Sequence, residues 1–144
     1  MVKRLGGLRW RRLHQAVYVI SLLALIHYFQ QTKADVTVPT FVAGLFGWLL
    51  GYRLLAWWLD RSELSSLWLL ILGVAVSLLT LIGEAVGVGI VFNVSPFRIL
   101  EIVFDFDVGI RPGWQVLAAS LCVVVLDIVC ARWRGRAPRP VPAA

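Results

Sequence analysis

The sequence predicts an all-α integral membrane protein with about four spanning helices and both termini in the cytoplasm, and three observations carry that expectation. Of 144 residues, 60% are hydrophobic and only 15% charged, which is too apolar for a soluble domain of this length. Apolar runs long enough to cross a bilayer recur along the chain, separated by short polar turns. The formal net charge of +6 gathers at the ends of those runs, as it does where charge sets topology. No nucleic-acid partner is expected, because that would need a basic face on a folded soluble domain.

The first span is expected from about Trp10 to Gln31. Lys3, Arg4, Arg9, Arg11 and Arg12 precede it, but the run is long for a signal peptide and no small-residue cleavage site follows it, so it is read as retained. Thr32 to Val38 is a polar turn. Pro39 suits the first turn of a new helix, where its missing N–H costs nothing. The second span then runs to about Leu59. Within it Ala43, Gly47 and Gly51 recur every fourth residue, a stripe that lets another helix come close. Arg53 lies within snorkelling reach of the interface.

Asp60-Arg61-Ser62-Glu63 is a charged turn with Ser62 as a candidate N-cap. The third span is expected from about Leu64 to Gly83. Its glycine-rich continuation toward Phe92 is weakly helical. Between Asn93 and Gly113, Ser95-Pro96 reads as an N-cap and first helical position. Phe97, Leu100, Ile102 and Phe104 alternate there with Arg98, Glu101, Asp105 and Asp107, the pattern of a short helix on the membrane surface followed by an acidic turn. Pro112 opens the fourth span, about Gly113 to Ala131. Three units follow: residues 1–60 with two helices, 61–134 with two more, and a Pro-rich tail at 135–144 that is expected to be disordered.

With four spans, Lys3, Arg4, Arg9, Arg11, Arg12, Arg53, Arg61, Arg132, Arg134, Arg136 and Arg139 share one side, against Lys33, Arg98 and Arg111 on the other. Both termini are therefore expected in the cytoplasm and the acidic 93–112 segment outside. Cys122 and Cys130 are about 12 Å apart along one helix, too far for a disulfide, and read as small buried hydrophobes. Glu84 and Asp127 are ionisable groups inside apparent spans and so candidates for function. The plainer reading pairs Glu84 with Arg98 or Arg111, and Asp127 with Arg132.

Both histidines, His14 and His27, lie in the first span. A histidine near a membrane interface is often just hydrogen-bonded to a neighbouring helix. The functional alternative is axial ligation of haem iron by neutral imidazole. Thirteen residues give about 20 Å of rise, one histidine per leaflet, so two haems could pass an electron across the bilayer. The same thirteen residues turn the helix about 220° beyond whole turns, so the two rings do not share one stripe.

Arg9-Trp10-Arg11-Arg12-Leu13-His14-Gln15-Ala16-Val17-Tyr18, then Ile26-His27-Tyr28, Lys33-Ala34-Asp35 and Leu50-Gly51-Tyr52-Arg53-Leu54, resemble a known family over about residues 5 to 60. It is the haem-binding membrane subunit of periplasmic methionine sulfoxide reductase systems, the MsrQ family, placed with the ferric-reductase-like transmembrane proteins. The resemblance implies haem b, with FMN as a further cofactor, and electrons drawn from quinone or a flavin reductase. It implies delivery to a periplasmic molybdopterin-containing methionine sulfoxide reductase. By the same resemblance His14 and His27 match two haem-ligand histidines, and Arg9, Arg11 and Arg12 stand where propionates would be met, unless they serve only as the basic anchor. The family has about four further spans before this stretch, one bearing an opposing histidine, so the chain is expected to be a C-terminal part whose missing ligand comes from N-terminal helices or a second copy. The alternatives are a cofactor-free four-span structural or interaction protein and, less favoured, a small transporter built on Glu84 or Asp127.

Overall fold

The computed structural model describes residues 7–32, 35–60 and 63–136. They form five α-helices: α1 Gly7–Gln31, α2 Thr37–Trp58, α3 Ser66–Phe92, the short α4 Pro96–Glu101, and α5 Pro112–Arg136. Two 3-10 turns, Ile102–Phe104 and Phe106–Val108, join α4 to α5. There is no strand among the described residues. Four helices are long and apolar enough to cross a membrane: within α1, α2, α3 and α5. In lipid every backbone group must be bonded within its own segment, which is why such apolar runs become uninterrupted helices.

α2, α3 and α5 make the packed part of the molecule. α3 is its centre and lies against both of the others. The α3–α5 seam is antiparallel: Leu69 and Val124 are buried at one end, and Ser77 Oγ donates to the Gly113 carbonyl at 2.7 Å near the other. Val116 is fully buried in this seam. Membrane helices gain little from the hydrophobic effect between themselves and associate by close van der Waals packing. The small-residue stripe on α2 shows this in part. A Cβ at Gly51 would lie 2.8 Å from Leu72, and one at Gly47 would make only ordinary contact. Gly44, outside the expected stripe, is the tighter position: a Cβ there would come within 2.6 Å of Val116 and 2.7 Å of Thr80 Oγ1.

Several expected boundaries move. α3 continues through Gly83–Gly89 to Phe92, and Asn93 ends it in the left-handed conformation (φ 53°, ψ 39°), which asparagine adopts more readily than most residues. Its N-cap position is Ser65; the candidate Ser62 lies outside the described residues. α5 runs to Arg136, and the rest of the expected tail lies outside the described residues. Pro39 falls in the first turn of α2 and is buried, and Ser95-Pro96 opens α4 as expected. Cys122 and Cys130 are exposed, correcting their reading as buried. They lie off the α5 face that carries Val116, Ser120 and Val124, and in a bilayer an apolar side chain is equally at home against lipid.

The 93–111 segment folds back over the ends of α3 and α5. Ile99 and Val103 are buried beneath it. Trp114 at the start of α5 donates its indole N–H to the Val103 carbonyl at 2.9 Å, and the Phe104 and Phe106 rings lie 5.7 and 6.1 Å from its ring. Phe97, Phe104 and Phe106 remain largely exposed, the amphipathic division expected of a surface segment.

Candidate functional site

α1 carries both histidines and is the least enclosed long helix. None of its described residues is buried, and its principal packing is on α2. The half-buried residues of α1 are Ala16, Tyr18, Ser21 and Leu25. Tyr18, Ser21 and Leu25 recur at helical spacing and define the face turned to α2. A groove of about 390 Å³ runs along this seam, between Ser21, Ala24, Leu25 and Tyr28 on α1 and Val42, Leu45, Phe46 and Leu49 on α2. At its basic end the Arg53 guanidinium sits 5.3 Å above the Tyr18 ring. That contact gives an apolar-span arginine a partner on the next helix, and the earlier snorkelling expectation did not include it.

His14 continues the α2-facing stripe one turn before Tyr18, and its side chain is exposed. In the register set by Tyr18 and Arg53 it lies level with Trp57. The Trp10 ring is tilted against it, with centroids 5.5 Å apart and planes at 33°. His27 lies about 140° around the helix from that stripe, on a face turned away from α2. It too is exposed, with the Gln31 amide 3.5 Å from its Nε2, a contact at the limit of hydrogen bonding. The structure therefore does not bring the two histidines together. They stand about 20 Å apart along the helix and on different sides of it.

Arg9 and Arg12 are exposed at the His14 end, and the Arg11 side chain lies outside the described residues. No cluster of three or more histidine, cysteine or acidic side chains suited to a bare metal ion occurs among the described residues. α1 carries instead two single imidazoles, each exposed and without a bond to another helix.

The remaining ionisable groups are in the bundle. Glu84 pairs with Arg111, whose Nη1 donates to Oε1 at 3.3 Å. This is one of the two partners the sequence offered. The Asp127 carboxylate accepts from Ser66 Oγ at 2.7 Å, not from Arg132, because the α3–α5 seam sets Ser66 directly opposite. At the α1–α2 turn Asp35 accepts from the Thr37 backbone N–H at 2.9 Å. Hydrogen bonding from the Thr37 side chain, and then from this N–H, stabilises its charged form and holds its pKa below the ordinary carboxylate value.

Comparison with known proteins bears on α1 and its surroundings. A stretch of 54 residues, 38% of this chain, is 48% identical to the protein-methionine-sulfoxide reductase heme-binding subunit MsrQ of Rhodospirillum rubrum. This stretch is similar to MsrQ. The same named subunit from Bordetella pertussis is 42% identical over 58 residues, and that from Herminiimonas arsenicoxydans 41% over 69 residues, or 46% of this chain. The matched region spans 26% to 32% of the length of these MsrQ relatives. No family model matches the chain, and no solved structure matches it. The MsrQ likeness and the four apolar helices together mark a multi-pass membrane protein.

Proposed function

We propose that this chain is a haem-ligating electron-transfer subunit of a methionine sulfoxide reductase system, with His14 and His27 as axial ligands. The observation that carries this reading is that α1 holds both histidines exposed and uncommitted, near opposite ends of one span, in a chain similar to heme-binding MsrQ subunits. A span has little reason to expose two polar rings to lipid, and a planar apolar cofactor would remove that cost.

The residues present fit the group in part. Each histidine supplies one imidazole. Arg9, Arg11 and Arg12 offer cations at the His14 end for haem propionates. The Trp10 ring lies against that of His14. Haem b held by two imidazoles supplies one-electron transfer, since no iron position is left open for substrate. The other axial ligand comes from outside the described helices: a second copy of this chain or further N-terminal helices.

In this reading the basic end lies in the cytoplasm of a bacterial inner membrane, with Arg9, Arg12, Arg53 and Arg132 together there. Electrons enter from quinone or a flavin reductase, with FMN as an intermediate carrier. They leave on the periplasmic side to a molybdopterin-containing methionine sulfoxide reductase.

The test is an absorption spectrum of membranes holding the full chain, wild type and with His14→Ala or His27→Ala. A Soret band lost in both variants is the expected result. Its absence from the wild type, with or without a co-expressed N-terminal half of an MsrQ relative, sinks the proposal and leaves a cofactor-free interaction protein.

A further inference from the structure

A slot of about 610 Å³ opens between α2 and α3 and reaches the end of α1 at Phe29 and Thr32. It follows α3 from Val76 to Phe92, about 24 Å of helix and so longer than one leaflet of ~15 Å. The slot therefore suits a single chain-like molecule.

Two kinds of residue in its walls lack a reason within the described chain. Gly83 and Gly87 lie in the interior of α3, where glycine weakens a helix. A Cβ at either would meet nothing within 4 Å, so no neighbour uses the room they leave. Between them sits Glu84, whose side chain is only 4% exposed and lines the slot. Arg111 engages its Oε1, and Oε2 enters none of the hydrogen bonds among the described residues.

The other polar groups of the slot define what they can receive. Thr80 Oγ1 donates to the Val76 carbonyl at 2.8 Å, so toward the slot it can only accept. Thr40 is buried opposite and lines the same cavity. Acceptors outnumber donors, so a ligand head must itself donate. The charge of Glu84 is already met by Arg111, so a cation would compete with that pair and an anion would be repelled. A neutral hydroxyl remains.

We propose that this slot binds a single-chain lipid with a neutral hydroxyl head, whose hydroxyl donates to Glu84 Oε2 while its chain lies along the slot between α2 and α3. No histidine lines the slot, so the site stands or falls independently of the haem reading.

The experiment uses the full chain in detergent and labelled hexadecanol as the probe, with hexadecane and hexadecanoate as competitors. Saturable binding is expected, displaced by unlabelled hexadecanol and not by the other two. Gly87→Leu fills the slot where its side chain has open space, and should weaken binding at least about tenfold with unchanged thermal unfolding. Glu84→Gln keeps the side-chain shape and is expected to weaken hexadecanol binding by about the same factor. Absence of saturable binding by the wild type overturns the proposal. So does equal displacement by hexadecane, which marks a plain acyl-chain groove, or wild-type binding by both variants.

Discussion

α1 and α3 are both long membrane helices, yet they treat their polar residues in opposite ways. α3 carries Ser77, Thr80 and Glu84 inside the bundle, where each is bonded: to the Gly113 carbonyl, to the Val76 carbonyl and to Arg111. α1 carries His14, Gln15 and His27 on its exposed surface. Mean hydropathy, 1.2 for the α1 span and 2.3 for the α3 span, does not say which side chains face neighbours and which face lipid. The placement of polar groups does. α3 holds this bundle together, and α1 leaves its polar side chains outside it.

The largest effect that can break this contrast is on the cofactor. Replacing both His14 and His27 by alanine should abolish the Soret band while leaving the unfolding midpoint in detergent unchanged, since α1 buries neither ring. A double variant that unfolds early would mean that the histidines serve packing. Next comes overpacking in the bundle. Gly44→Val should destabilise by ~1–3 kcal/mol in a denaturant titration. Leu23→Ala on α1 should stay within about 0.5 kcal/mol. Equal effects at the two positions would erase the distinction.

A smaller change is expected at the polar seam. Ser66→Ala leaves the Asp127 carboxylate without its donor and should cost about 1 kcal/mol by the same titration, with Ser66→Thr restoring most of it. Arg53→Gln removes the cation from the Tyr18 face, and a loss of ~0.5–1 kcal/mol in α1–α2 association, read by cross-linking across that seam, is the expected outcome. The smallest effect is at Asp35. Its folded pKa is lowered by hydrogen bonds from the Thr37 side chain and N–H, so its contribution is complete above the unfolded value near 3.8 and disappears as pH falls through the folded value. Amide exchange at Thr37 should quicken over that window in the wild type and show no such step in Asp35→Asn.

The four spans were legible because hydropathy and length alone decide them. The helix ends were less so. The run Gly83–Gly89 reads as weakly helical by propensity, but in lipid a broken helix would strand its backbone groups. Gly89 also gives close approach to the Val94 carbonyl and Pro96 on the returning segment. The Glu84–Arg111 pair was one of two partners within reach by sequence. Asp127 was expected to turn to Arg132 nearby, whereas its donor is 61 residues away, and no local pattern encodes that register. The cysteines were placed inside because apolar residues usually are, a rule that lapses where solvent is lipid. For the candidate site, helical period alone separated the faces of His14 and His27. The Trp10 contact and the Tyr18–Arg53 pair needed coordinates, although the i, i+4 spacing of Trp10 and His14 was there to be read.

That Trp10 ring, 5.5 Å from His14, also makes the helix its own optical gauge. Indole emission is extinguished by energy transfer to a strongly absorbing ring, most completely at such close range, so filling of the His14 position would darken Trp10 more than any indole farther off. His27 has no tryptophan within a helical turn. Titration of a variant that keeps Trp10 and replaces the other six tryptophans would therefore respond more strongly to filling at His14 than at His27, two positions that an absorption spectrum would sum.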